Sequence, residues 1–312
     1  YLGDARDILK QFPSNHFNVC ITSPPYLGQR IYEGNSTLGT ESSVKEYVQH
    51  LVEIFSRLNF ILHPTGSLYL NLGDTANGSG GGGGDYNPGG KKENQPTFPG
   101  HYYKECKKKD MLGIPWTVAL ALRDSGYYLR SENIWKKPSS LNYAFDRPTR
   151  VHEHVFHLTK SAKYHYDYVA VMEPTVKGDG SMRHLQSVWD ISPGSKPKGI
   201  EHYAVFPEKL VELVLRASTS PAGTCGKCGT PLRRNTLPIR DGENHLVEYS
   251  TLGFEKVCEC STDAIQPCRA IDIFGGSGTT AVVGKRMGVH TTLIDISEQY
   301  CEIAKKRIQN VG

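Results

Sequence analysis

Near its C-terminal end the chain carries the pattern that most narrows its fold. An apolar strand-length run at 269–273 meets Phe274-Gly275-Gly276-Ser277-Gly278-Thr279-Thr280, and a helical stretch follows to about Met287. A second strand, 291–294, ends at Asp295. Strand, glycine loop, helix, strand and acid make up half of a nucleotide-binding α/β fold. Glycines let the backbone approach a ligand closely, and an acid after the second strand can take a ribose diol. The loop is not the G-x-G-x-x-G of dinucleotide folds, nor a P-loop, since no Lys follows its last glycine. The unit runs out at Gly312, where such a site would next need a third strand tip near an adenine. Leu2-Gly3-Asp4, at the other end of the chain, would supply it, with Asp4 as the acid.

Asp272, inside the first strand's end, suits a cationic ligand portion better than a pyrophosphate. S-adenosylmethionine has an α-ammonium, a sulfonium and a ribose diol, and fits these residues better than NAD does. Joined end to start, the glycine loop, Asp295, Asp4 and the segment that follows fall in the order of one continuous Rossmann-like sheet. The expected architecture is therefore a circularly permuted version of that sheet.

The segment in question is Thr22-Ser23-Pro24-Pro25-Tyr26, directly after the apolar run 17–21. A strand ending in a polar residue and two prolines presents a stiff, exposed loop at a sheet edge. Each proline fixes its own φ and biases the preceding residue toward an extended conformation. Neither has an N–H, so nearby carbonyls stay free to accept hydrogen bonds. Tyr26 adds a flat face beside them, and the loop suits a planar group gripped through its amine. An ordinary Pro-Pro turn has the same sequence signature.

Elsewhere, 5–11 is a short helical candidate, and Val44, Val48, Leu51, Ile54, Phe55, Leu58 and Leu62 recur at helical spacing behind an N-cap at Ser43. Residues 66–74 read as a buried strand with a polar tip at Asp74, which either lines the site or caps a loop. Residues 76–110, with the run Gly80 to Gly84 and Lys107-Lys108-Lys109, read as a mobile loop. Pro115 opens a helix that Gly126 stops. Strands are expected at 127–135, 151–158 and 164–169, and a helix at 208–217. Arg147, Arg150, Lys160, Lys163, Lys177, Arg183, Lys196 and Lys198, interleaved with Tyr and His, suit a nucleic-acid surface and equally any solvated face. His152 and His154 are candidates for DNA contact.

Composition sets outer bounds. The 312 residues suffice for one large or two modest domains, and 22% are charged, as in a soluble globular protein. No apolar run nears the ~20 residues of a membrane helix, and the first residues show no leader pattern. A net charge of +4 permits a polyanionic partner. Cys225, Cys228, Cys258 and Cys260 form two close pairs, Cys-x-x-Cys and Cys-x-Cys, which point to a structural zinc with four thiolates. Four thiolates leave no open position for catalysis. Cys268 is a spare ligand candidate.

Taken together, these blocks resemble the amino-methylating DNA methyltransferases of the permuted β group, found in restriction–modification systems and phages. Thr22-Ser23-Pro24-Pro25-Tyr26 resembles that family's catalytic motif, and 274–280 its cofactor loop. Arg147-Pro148-Thr149, His152-Glu153-His154, Ser187-Val188-Trp189-Asp190 and Ala204-Val205-Phe206-Pro207-Glu208-Lys209-Leu210 are further family-like blocks in the expected order. One departure is Ile273, where Pro is usual. The resemblance implies Ser23, Pro24, Pro25 and Tyr26 as catalytic residues. It assigns to the cofactor Asp4, Thr22, Phe206, Pro207, Asp272, Phe274, Gly275, Gly276, Ser277, Gly278, Thr279, Thr280 and Asp295. Ser before Pro-Pro-Tyr is similar to the cytosine-N4 enzymes, whereas Asp or Asn there marks mostly adenine-N6 enzymes.

The implied activity is methyl transfer from S-adenosylmethionine to N4 of a flipped cytosine in double-stranded DNA. Adenine N6 is the alternative, and a non-catalytic DNA-binding module the alternative of another class. Ser23 Oγ and the Pro24 carbonyl would accept hydrogen bonds from the amine, Tyr26 would stack on the base, and Trp135 would form a second wall. The expected organisation is a catalytic half at 1–138, a target-recognition region at 139–200, a cofactor half at 201–221 and 269–312, and a zinc-ribbon-like insert at 222–268. A cognate restriction nuclease and a cytoplasmic, DNA-associated setting (nuclear in a eukaryote) go with that reading.

Overall fold

A computed structural model describes residues 1–28, 38–78, 102–138, 146–176, 178, 180–193, 207–242 and 244–311. After a short helix α1 (Ala5–Ile8) come β1 (Phe17–Thr22), α2 (Val44–Ile61), β2 (Leu62–Leu72), α3 (Ile114–Asp124), β3 (Tyr128–Lys136) and β4 (His152–Thr159). Two-residue strands β5 (Glu173–Pro174) and β6 (Met182–Arg183) pair with each other, and β7 (Val188–Asp190) joins the main sheet. Then follow α4 (Glu208–Ser218), β8 (Thr224–Cys225), β9 (Arg233–Arg240), β10 (Leu246–Glu255), β11 (Ile265–Gln266), β12 (Arg269–Asp272), α5 (Thr279–Arg286), β13 (His290–Leu293) and α6 (Glu298–Gln309).

The central sheet has seven strands in the order β13-β12-β1-β2-β4-β3-β7. The first four are mutually parallel, and β4 runs antiparallel to both its neighbours. Helices cover both faces, so the central strands read as continuous apolar runs rather than alternating ones. Phe17, Cys20, Leu68, Leu70 and Ile271 pack under α2 and α3. Val19, Ile21, Tyr69 and Ala270 pack under α4 and α5. Val19, Cys20 and Ile21 thus enter alternating cores, as a period of two requires, and the register shift between Phe17 and Val19 sets those two on opposite sides.

The link between β12 and β1 brings the two ends of the chain together. Val19 and Cys20 lie opposite Ala270 and Ile271. At the outer edge Gly3 N donates to Asp295 O at 2.9 Å, and Asp295 N to Tyr1 O at 3.1 Å. The first residues therefore extend the strand-tip row beyond β13, where Asp4 was expected.

Local signals govern most boundaries. Ser43 Oγ accepts from Glu46 N at 3.0 Å and caps α2. Asp74 caps α3 by accepting from Ile114 N at 3.1 Å and Gly113 N at 3.2 Å, so of its two sequence readings the cap is the one formed. Gly126, at φ +114°, follows α3 as its stop.

Two expectations need correction. Residues 164–169 form no strand. His165 N donates to Thr65 O of β2 and Asp167 N to Ala217 O of α4, single bonds in place of a ladder, and a 3-10 turn begins at Val169. The strand His152–Thr159, inside the stretch assigned to target recognition, is a central strand of the sheet, flanked by β2 and β3. Most of the glycine-rich loop lies outside the described residues, but its two ends are tied down. Asn77 is 1% exposed, and its side-chain amide bonds Tyr103 N and the carbonyls of Tyr103, Cys106 and Lys107.

Candidate active site

The catalytic-motif loop and the glycine loop leave neighbouring parallel strands, and one buried carboxylate joins them. Thr22 Oγ1 donates to Asp272 Oδ1 at 2.7 Å, across 250 residues of sequence. Thr280 Oγ1 donates to Asp272 Oδ2 at 2.7 Å, and Phe274 N to Oδ1 at 3.2 Å. Asp272 is 2% exposed. Burial pushes its carboxyl up to about 6, against the pull of its donors. The expectation that Thr22, Asp272 and Thr280 face a cofactor meets a different geometry: their side chains are buried and engaged with one another. They tie the motif loop to the glycine loop.

The glycine loop itself is bare where a ligand would approach. Gly276 has φ +49°, and a Cβ there would meet nothing within 4 Å. Gly278 has φ +81° and sits so close to α6 that a Cβ would come within 2.7 Å of Ala304 Cβ. Asp295 braces the loop, its Oδ2 accepting from Gly276 N at 2.7 Å and its Oδ1 from Ser297 N at 2.9 Å. Arg307 holds it from the far side through Ser277 Oγ at 2.7 Å and Thr279 Oγ1 at 3.1 Å. Gly275 N bonds Ile294 O. Asp4 caps α1 and pairs with Arg6 at 2.7 Å, which holds its carboxyl below the usual range. Pro207 is buried at the start of α4. Phe206 lies outside the described residues.

On the other side of the cleft Ser23 is half-buried and donates to Tyr26 Oη at 3.2 Å. Tyr26 Oη donates to Glu153 Oε2 at 2.9 Å. Asn71 Nδ2 donates to both, at 2.5 Å to Tyr26 Oη and 2.6 Å to Glu153 Oε2. Lys137 Nζ pairs with Glu153 Oε1 and lies 4.6 Å from the centre of the Trp135 ring. Tyr47 Oη donates to Pro25 O at 2.8 Å. Burial pushes the Glu153 carboxyl up, but Lys137, Asn71 and Tyr26 outweigh it and hold the group below the usual range. Burial and that charge lift the Tyr26 phenol well above its usual value.

Tyr26 packs its ring so closely on Gly73 that a Cβ there would lie 2.7 Å from the ring, and its hydroxyl joins Ser23, Asn71 and Glu153. One expected role changes here. Trp135 is 5% exposed and bonds Ile191 O through Nε1, so it belongs to the core and not to a pocket wall. Sequence reasoning quoted Glu153 only inside a longer block, did not single out Lys137 or Asn71, and missed their convergence. They come from β4, from just past β3 and from β2, and no spacing signals that.

The cysteine cluster sits at the opposite end of the sheet. The Sγ atoms of Cys225, Cys228, Cys258 and Cys260 lie within 4.8 Å of one another. β8 pairs with β11, and β9 with β10, around them. Backbone N–H groups of Cys228 and Lys227 draw the Cys225 thiol below its usual value. The knuckle docks on the entry ends of β1 and β2: Asn18 Nδ2 donates to Gly229 O at 2.9 Å, and His63 Nε2 lies 3.0 Å from Cys228 O. Five residue steps along β1 separate Asn18 from Ser23, about 16 Å at roughly 3.3 Å per step. Cys268 is buried away from the cluster, its sulfur accepting from Ser220 N.

A model of the N6/N4-type DNA methylases matches residues 17–226 and 270–306. The chain belongs to this DNA methylase family. Both motif loops fall inside the matched segments, and most of the cysteine insert falls between them. The methylase is 33% identical to the Type II methyltransferase M.Cfr9I of Citrobacter freundii over 98% of this chain and 86% of that one. It is 30% identical to M.SmaI of Serratia marcescens over 98% and 89%. Among solved structures it superposes on the PvuII DNA methyltransferase, described as cytosine-N4-specific, with a TM-score of 0.63 at 18% identity, covering 100% of this chain and 87% of that one. A putative DNA modification methylase of Thermus thermophilus, TTHA0409, solved with S-adenosyl-L-methionine, gives a TM-score of 0.56 at 18% identity over 99% and 93%. In the described residues no helix is long and apolar enough to cross a membrane.

Proposed function

We propose that this methylase transfers a methyl group from S-adenosylmethionine to N4 of a cytosine flipped out of double-stranded DNA, on a circularly permuted Rossmann-like sheet. The observation that carries the reading is the Thr22–Asp272 hydrogen bond of 2.7 Å, which keeps Ser23 beside the glycine loop. The bare backbone at Gly276 and the acid at the tip of β13 fit the cofactor's amino-acid and ribose portions. When bound, it supplies an activated methyl on a sulfonium.

The exocyclic amine of a base is conjugated to its ring and is a poor nucleophile. Ser23 Oγ and the Pro24 carbonyl are acceptors on a loop that two prolines stiffen. Accepting the amine's N–H groups favours a tetrahedral nitrogen with a free lone pair, so positioning and hydrogen bonding supply the rate. Asn71 Oδ1 adds a buried acceptor that lacks a donor among the described residues, as a site built for an amine would have. Nothing in this scheme needs a nucleophilic cysteine.

Serine ahead of Pro-Pro-Tyr favours cytosine N4, as does the likeness to the PvuII enzyme. Adenine N6 is the second reading, because its amine poses the same chemical problem. The deciding experiment incubates whole-genome-amplified DNA with the protein and labelled S-adenosylmethionine, then digests it for mass spectrometry of the nucleosides. Label in N4-methylcytosine is the expected result. Label in N6-methyladenine moves the reading to adenine, and none at all removes the activity.

The cysteine cluster is read as a structural zinc site. It stands at the far end of the sheet from Ser23, and four thiolates close the coordination shell. Elemental analysis is expected to find one zinc per chain. The cognate nuclease suggested by Type II relatives remains a proposal of the same kind.

A further inference from the structure

A chain of donors runs inward from the motif serine. Ser23 donates to Tyr26, Tyr26 donates to Glu153, and Glu153 ends the chain with its other oxygen on Lys137. Each hydroxyl in this series uses its one proton on the next group inward. Ser23 Oγ therefore turns lone pairs, not a proton, toward anything that enters the cleft. Asn71 Nδ2 locks the middle of the series by donating to Tyr26 and Glu153 together. Glu153 comes from β4, Lys137 from beyond the end of β3, Asn71 from β2, and the two hydroxyls from the loop after β1. Four segments would not converge on one carboxylate by chance of packing alone, since an ion pair buried for stability repays its desolvation poorly.

We propose that Glu153, ion-paired with Lys137, is a positioning residue and the final acceptor of the proton that the target amine gives up, reached through Ser23 and Tyr26. This rests on the amine-methylating reading above and adds the route of the proton. Methyl transfer forms the N–C bond and breaks the S–C bond, whose electron pair stays on sulfur. The nitrogen is left cationic with one proton in excess. That proton passes to Ser23 Oγ as the Ser23 proton moves to Tyr26 Oη and the Tyr26 proton to Glu153 Oε2. The products are a neutral methylated amine and a protonated carboxyl, which later releases its proton to water. No charge is left on either hydroxyl.

The charges around Glu153 suit an acceptor that starts ionised. Lys137 faces it from β3, and Tyr26 and Asn71 donate to it from the β1 loop and β2. On its own strand, His154 is engaged with Glu132 at 2.6 Å, and His152 stands edge-on to His154. Arg150, just before the strand, donates to the Asp74 carbonyl. Lys137 is thus the cation in direct contact, and removing it raises the carboxyl toward and above its ordinary range.

The test uses the full chain, S-adenosylmethionine and whole-genome-amplified DNA in single-turnover methyl transfer across pH 4.5–9, after the parent protein has been shown to methylate that DNA. Glu153→Gln is expected to lose at least about tenfold in rate, with cofactor and DNA affinity within about twofold of the parent. Tyr26→Phe is expected to lose a similar factor, and the double variant no more than either alone. Lys137→Gln is expected to move the acid limb of the rate profile to higher pH by about one unit or more. A Glu153→Gln protein that folds and turns over at the parent rate overturns the proposal. So does a Lys137→Gln profile with an unmoved acid limb, which stands as a test even if Glu153→Gln does not fold. A parent protein that methylates neither cytosine nor adenine overturns the amine reading itself, and the proton route with it.

Discussion

At the scale of single residues, the division of labour between Ser23 and Thr22 is the clearest result. They are neighbours, but β1 ends between them, so Thr22 points into the sheet and Ser23 into the cleft. On the proposed mechanism, Ser23→Ala removes an acceptor from the amine while leaving the glycine loop untouched. Turnover is expected to fall about a hundredfold or more, with cofactor affinity changed less than about twofold by calorimetry; parent-like turnover would discard the mechanism. Thr22→Val keeps the shape but takes a donor from a buried carboxylate. Hydrogen bonds to charged groups are worth about 1.5–3 kcal/mol, so a melting temperature lower by several degrees is expected, together with weaker cofactor binding. Both motifs were legible in the sequence, and so was the expectation that they meet. The bond between Thr22 and Asp272 was not legible, because an acid at a strand tip looks the same whether it faces a ligand or a threonine.

At the scale of elements, periodicity and caps carried most of the reading. Helices α2, α3 and α4 and the strands of the parallel core start and stop close to where Ser43, Pro115, Gly126 and the apolar runs indicate. The failures share a cause. Residues 164–169 alternate like a strand, but a strand needs a partner, and β4 already has one on each side. Trp135 was expected as a second wall beside the base, yet β-strand alternation turns it inward. We expect the insert to unfold as a separate element. β8 and β11 are two residues each, too short to hold a ribbon without a further link. Stripping metal with a chelator is therefore expected to expose β8–β11 and the β9–β10 hairpin to proteolysis while the central sheet keeps its circular dichroism. Loss of the whole far-ultraviolet signal on chelation would show that the ribbon is not an independent element.

At the scale of the whole molecule, burial of histidines ties stability to pH. His157 is 4% exposed and burial pulls its imidazole from 6.5 down to about 3; His63 and His165 shift the same way. A group depressed in the folded state contributes stability that is present above its unfolded value and lost as pH falls through the folded one. For His157 the loss begins near pH 6.5 and continues toward about 3, and His63 and His165 add to it in the same direction. Asp272 works in the opposite sense, since its raised value favours the folded state as pH falls from about 6 to 3.8. Glu153 and Asp4, held low in the folded state, add to the imidazoles, and together they outweigh the raised Asp272 and Asp295 and leave a net acid lability. The melting temperature is expected to decline steadily between pH 6.5 and 4, and His157→Gln to flatten that slope; an unchanged slope would acquit His157. The carboxylate shared between the two loops has a last consequence, for the order in which partners assemble. Whatever stiffens one loop lowers the entropy that remains to be lost when the other is occupied, and this coupling is reciprocal. Donor and acceptor molecules should accordingly bind with positive cooperativity, each tightening the other through three hydrogen bonds that neither of them touches.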